Sequence, residues 1–103
     1  MNLTKNSKKV ICVVYKMFLE RRKNGISIDS AKLFELDFYK EDKNLSNWTE
    51  NDITSCLEEL ENNNYISTCN DMSFELHNNA IVEMENRFKN GVIDVVDFIA
   101  KFR

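Results

Sequence analysis

The chain is predicted to be mainly α-helical with one small antiparallel β-hairpin, forming a single domain over residues 1–103. Three observations predict it. Apolar residues recur at three- and four-residue spacing through most of the sequence. Only residues 65–76 alternate like a pair of strands, around the turn signal Asn70-Asp71. With no proline and only two glycines, Gly25 and Gly91, the chain has too few breakers for a loop-rich or many-stranded protein.

The first helix is expected from about Leu3 to Lys23. Val10, Ile11, Val14, Met17 and Phe18 share one side, and Lys8, Lys9, Lys16 and Glu20 fill the others. Arg21, Arg22 and Lys23 stand in its last turn, where cations complement free carbonyls, and Asn24-Gly25 supplies the stop. Ile26-Ser27-Ile28 alternates, enough for a stub of strand. Asp29 or Ser30 then caps a second helix, in which Leu33, Leu36 and either Phe34 or Phe38 face inward. Lys40 to Trp48 is a polar loop anchored by Leu45 and Trp48.

Thr49 caps a third helix, with Asp52 three residues on as in a capping box. Ile53, Cys56, Leu57 and Leu60 make its apolar stripe, and Asn62-Asn63-Asn64 ends it. A two-residue turn at Asn70-Asp71 sets Cys69 opposite Met72, Ser67 opposite Phe74 and Tyr65 opposite Leu76. Tyr65, Cys69, Met72, Phe74 and Leu76 then share the inner face, and Thr68, Ser73 and Glu75 the outer one. Asn78 or Asn79 caps a fourth helix carrying Ile81, Met84 and Phe88, which ends near Asn90-Gly91. Residues 79–103 thus form a helical extension, densely apolar from Val92 onward.

Charge is unevenly spread behind a formal net value of −3. Residues 1–23 carry seven cations against Glu20, whereas residues 24–64 carry Lys32, Lys40 and Lys43 against ten carboxylates. Such asymmetry orients a protein in another molecule's field. Cys12, Cys56 and Cys69 are odd in number and far apart, so they are expected as free thiols serving as small core hydrophobes. No pair of them has metal-ligand spacing, and neither a metal nor any other cofactor is expected. The N-terminus lacks an apolar signal core, and no apolar run reaches the roughly 18 residues of a membrane span. A cytoplasmic protein without a membrane partner is therefore expected. Fourteen asparagines and ten lysines against no glutamine match AT-rich codons, the usage of a low-GC bacterium or one of its mobile elements.

Helix, strand stub, helix, helix and hairpin is the order of the winged-helix fold, and the chain resembles that family from about Lys5 to Leu76. The most specific piece is Thr49 to Leu76, where a capped helix ending in "ELENNNYI" runs straight into a hairpin. That phrase looks like the end of the third helix and the start of the wing in small bacterial regulators. The layout is also similar to the small YjcQ-like winged-helix proteins of low-GC bacteria and their prophages. The resemblance implies a small DNA-binding regulator whose third helix lies in the major groove of duplex DNA. Thr49, Asn51, Thr54 and Ser55 would contact bases or phosphates there, and Lys5, Lys8 and Lys9 would grip phosphates from the first helix.

Charge opposes that reading. Between Thr49 and Asn64 stand Glu50, Asp52, Glu58, Glu59 and Glu61, without one lysine or arginine. DNA binding draws much of its strength from cations that displace condensed counterions. The alternative is an interaction module whose acidic third-helix face, with Glu50, Glu58, Glu59 and Glu61, binds or inhibits a basic protein partner.

An enzyme is not expected. His77, the single histidine, falls at the junction of hairpin and fourth helix, a place for local hydrogen bonding, and two isolated glycines cannot cradle a phosphate. Seven of eleven residues from Val92 to Phe102 are large and apolar, more than one face of a surface helix requires. Val92, Val95, Val96, Ile99 and Phe102 can pack on the chain's own core and leave Ile93 and Phe98 partly outside. All seven are candidates for a homodimer interface formed by two-fold pairing of this helix. The simpler alternative is that the first and last helices bury each other within one chain.

Overall fold

Thr4 opens the first helix by accepting the Ser7 backbone N–H on its Oγ1, and α1 runs Lys5–Lys23 in the computed structural model, which describes residues 2–101. Phe102, the last of the dimer candidates, lies outside the described residues. Every residue from Val10 to Tyr15 is buried, so α1 is enclosed here on all sides and forms the axis of the core. Its end carries the two hydrogen bonds of a Schellman motif. Ile26 donates to the Arg21 carbonyl at 3.0 Å and Gly25 to that of Arg22 at 3.1 Å, with Gly25 at φ +87°.

The expected strand stub and second helix exchange places. Ser27 caps a single helical turn, α2 (Ile28–Ala31), and the strand follows it as β1 (Leu33–Phe34), before a 3-10 helix at Leu36–Glu41. Long-range pairing decides this. The Lys32 carbonyl accepts the Leu76 N–H at 2.8 Å, and Leu33 and Phe34 stand opposite Glu75 and Phe74 of a later strand. Phe34 and Phe38 are both buried, whereas Leu33, expected inward, is 56% exposed. Phe34 stacks on Phe74 with ring centres 5.2 Å apart, and Phe38 meets Phe74 edge-on at 5.3 Å. Arg21 lies over Phe34, 4.1 Å from the ring centre, and donates to the carbonyls of Leu33 and Ala31 at 2.6 and 3.3 Å.

The loop that follows is anchored by buried Leu45 and partly buried Trp48. It is also held by Asp42, a carboxylate only 3% exposed whose counterion is Lys16 of α1 at 2.5 Å. Next comes α3 (Glu50–Asn62), capped by Thr49 through the Asp52 N–H at 3.2 Å, with Ile53, Cys56, Leu57 and Leu60 buried. Its end repeats the motif of α1 with asparagine in place of glycine. Asn64 takes φ +66°, and Tyr65 donates to the Leu60 carbonyl at 2.9 Å.

The hairpin is present, one residue out of the expected register. β2 (Ile66–Thr68) and β3 (Phe74–Leu76) pair Ile66 with Leu76, Ser67 with Glu75 and Thr68 with Phe74. The connection has three residues instead of two. Cys69 donates to the Ser73 carbonyl across its base, and Met72 takes the left-handed φ of +66°. The Asp71 carboxylate accepts both the N–H and the hydroxyl of Ser73, which sets the turn. Ile66 therefore joins Phe74 and Leu76 on the inner face, and Cys69 turns out to solvent. The sheet order is β1-β3-β2, antiparallel throughout.

After His77, α4 (Asn78–Arg87) begins without a side-chain cap, where Asn78 or Asn79 was expected to supply one. It buries Ala80 and Met84, and Phe88 follows into the core. From Gly91, α5 (Val92–Ala100) packs along α1, as does α3. The result is a mainly helical domain with a small three-stranded sheet. Among the described residues no helix is long and apolar enough to cross a membrane.

Candidate functional site

The exposed side of α3 presents Asn51, Ser55 and Glu58 at helical spacing, with Glu50 and Asp52 beside them in the first turn. Those two carboxylates complement the positive end of the helix. Thr49 is occupied as the cap, and Thr54 is half-buried with its hydroxyl donating to the Asn51 carbonyl at 3.0 Å. Of the four candidate docking acids, only Glu50 and Glu58 are open to solvent.

The other two tie α3 to its neighbours. Glu59 accepts the Thr4 N–H at 2.8 Å, the Thr4 hydroxyl at 2.7 Å and the Ser7 hydroxyl at 2.6 Å, closing the N-terminus of α1. Glu61 accepts the N–H and hydroxyl of Thr68 in β2 at 3.0 and 2.8 Å. The Ser7 and Thr4 hydrogen bonds hold Glu59 below the usual carboxylate range, and those of Thr68 do the same to Glu61. A folded-state value depressed in this way stabilises the protein above the unfolded value near 4.5 and ceases to as pH falls through the folded one. Glu59→Gln, which keeps one acceptor oxygen and leaves the Thr4 cap in place, is therefore expected to cost about 0.5–1 kcal/mol at pH 7. It should also shrink the loss of stability between pH 5 and the acid limb. Urea unfolding at several pH values checks both.

The basic candidates do not gather on α3. Lys9 sits over the Trp48 ring, 5.7 Å from its centre. Lys5 and Lys8 face the opposite flank of α1, where they line a cleft with Arg87, Phe98 and Lys101. Thr4, Asn6 and Ser7 are the residues that meet Asp52, Ser55 and Glu59 of α3 in a small polar groove. Sequence reasoning found the two lysines and missed their partners. Arg87, Phe98 and Lys101 join them only because α5 packs back onto α1, and no local pattern signals that.

On α5, Val95 and Ile99 are buried, Val92 is half-buried and Phe98 packs on Phe88 with ring centres 5.3 Å apart. Ile93 and Val96 remain exposed, at 69% and 45%. The buried stripe is thus rotated toward Phe98 and away from Val96, because the α4–α5 corner brings Phe88 to meet it. The first and last helices do bury each other within the chain, and among the described dimer candidates only Ile93 and Val96 are exposed.

Of the other reactive groups, two thiols are buried and the histidine is hydrogen-bonded on both ring nitrogens. Cys12 and Cys56 are buried free thiols, and burial pushes Cys12 up to about 12, so it stays protonated and inert. Cys69, expected in the core, is exposed. The Nδ1 of His77 donates to the Asn64 carbonyl at 2.9 Å, since a carbonyl can only accept, and its Nε2 accepts the Ser67 hydroxyl. These bonds pin the junction of α3, β2 and α4. Among the described residues no group of three or more histidine, cysteine, aspartate or glutamate side chains is placed to hold a metal ion. No protein-family model matches the chain, and comparison with curated proteins and with solved structures found no match.

Proposed function

We propose that the chain is a winged-helix-like interaction module that offers α3 to a basic protein partner instead of duplex DNA. Support for the winged-helix part comes from a long first helix, the short helix α2, the strand β1, a 3-10 helix, the capped helix α3 and the hairpin, with β1 closing the hairpin into a sheet, although α2 stands before β1 and not after it. The observation that carries the partner class is the sign of charge on the presented helix. Glu50, Asp52 and Glu58 are exposed on α3, and no lysine or arginine occurs between Thr49 and Asn64. Duplex DNA carries one negative charge per about 1.7 Å of axis and repels such a face. A cationic protein surface is attracted and oriented by it. Asn51 and Ser55 supply uncharged hydrogen-bonding groups among the acids. Lys5 and Lys8, turned to the other flank of α1, do not supply the cations that α3 lacks.

The test compares wild type with Glu50→Lys/Glu58→Lys, using Glu85→Lys/Asp97→Lys on exposed positions of α4 and α5 as a control of equal net charge. Fluorescence anisotropy follows binding of a labelled, Lys/Arg-rich peptide over a salt series, and a random-sequence duplex is titrated in parallel. Reversal on α3 is expected to weaken peptide binding about tenfold, equivalent to about 1.4 kcal/mol, while the control stays near wild type. Equal losses in both double variants would reduce the effect to net charge and defeat the assignment to α3. Duplex binding by wild type that disappears in Asn51→Ala/Ser55→Ala on α3, with Lys5 and Lys8 intact, would establish the DNA-binding regulator in its place.

A further inference from the structure

The cleft between α1, α4 and α5 carries the chemistry that α3 lacks. Four cations from three parts of the chain line it: Lys5 and Lys8 at the start of α1, Arg87 at the end of α4 and Lys101 directly after α5. Among the described residues no carboxylate lines it, and the fifth lining residue is Phe98. Its volume of about 470 Å³ suits a small ligand. Phe98 is held in place by Phe88, and the Arg87 guanidinium stands 4.7 Å from its ring centre. Asp94 and Asp97 line the adjoining groove, which shares Arg87, Phe98 and Lys101 with the cleft, and there Asp94 accepts the Asn90 N–H at 3.0 Å.

We propose that this cleft binds a nucleotide unit, with the phosphate on Lys8 and Lys101 and the base against Phe98. Cations alone would take any small anion. A fixed aromatic ring among them adds a surface for the π-face of a base, the pairing by which proteins hold single nucleic-acid strands without reading sequence. The nucleotide comes either free or as part of a strand, and both present the same phosphate and base. None of these residues lies on α3, so the site stands apart from the protein-partner surface and survives its failure.

Isothermal titration of the full chain with adenosine monophosphate, inorganic phosphate and a short oligothymidylate tests it. The two base-bearing ligands are expected to bind more tightly than inorganic phosphate. An oligothymidylate advantage over the mononucleotide marks a strand site, and its absence marks a free-nucleotide site. Lys8→Gln/Lys101→Gln is expected to weaken base-bearing ligands at least about tenfold, with the loss shrinking as salt is raised. Phe98→Leu should weaken the same ligands about fivefold or more, and Phe98→Tyr, which keeps the ring, should bind as wild type does. Thermal melts by circular dichroism show whether each variant is folded. Inorganic phosphate bound as tightly as the nucleotide, or no heat from either base-bearing ligand, overturns the proposal.

Discussion

Phe74→Ala is expected to remove about 3–5 kcal/mol of stability, a large share of the roughly 5–15 kcal/mol available to a domain of this size. The side chain is 2% exposed and sits in the central strand, stacked on Phe34 and edge-on to Phe38. Removing it opens a cavity at the one place where β1, the 3-10 helix and the hairpin meet. Neighbouring rings cannot close that cavity without breaking their own contacts, so the cost lies well above the transfer energy of the ring alone. The thermal midpoint should fall by more than about 12 °C. Leu33→Ala is the control in the same sheet. Leu33 pairs opposite Glu75 but is mostly exposed, and its loss should stay within about 0.5 kcal/mol. Parallel melts of the two variants separate the loss of a buried ring from the loss of an exposed side chain in the same sheet.

Lys16→Met is expected to cost about 3 kcal/mol, because it leaves the Asp42 carboxylate buried without its counterion. Among the described residues Asp42 then keeps the Asn44 N–H at 2.8 Å as the one donor to its side chain. One hydrogen bond does not offset the desolvation of a charge. Asp42→Asn should be costly as well, since it strands the ammonium beside an amide. The double variant Lys16→Met/Asp42→Asn buries no unpaired charge and is expected to lose less than the two single losses combined, giving a coupling of about 1–3 kcal/mol. Urea denaturation of all four proteins measures it. Single losses below about 0.5 kcal/mol would place the pair with ordinary surface salt bridges.

Elements whose signals are local were legible in the sequence. Gly25 and the run Asn62-Asn63-Asn64 mark the ends of α1 and α3, Thr49 marks a helix start, and the stripe from Ile53 to Leu60 is buried as its spacing requires. Elements decided at long range were not. Leu33 and Phe34 carry no strand signal of their own and are extended because β3, some forty residues later, offers them a partner. The hairpin register turned on a single choice, a three-residue loop with Met72 at positive φ, for which Asn70-Asp71 gives no warning. The same division runs through the candidate sites. The acids of α3 were visible as a face, but the withdrawal of Glu59 and Glu61 depends on where Thr4, Ser7 and Thr68 come to rest. Lys5 and Lys8 were visible as charges, and their cleft exists only once α5 has docked.

Arg21 and Glu61 have one consequence in common. The sheet has two open borders, the outer sides of β1 and β2, and a side chain is seated on each: the guanidinium on the carbonyls of Ala31 and Leu33, the carboxylate on the amide of Thr68. A stray strand from another molecule finds acceptors already filled along one border and a donor already taken along the other. So short a ribbon, with Leu33 bare on its surface, would otherwise be an invitation to fibril growth. Two charged groups, borrowed from the helices at either side, make the ribbon self-limiting.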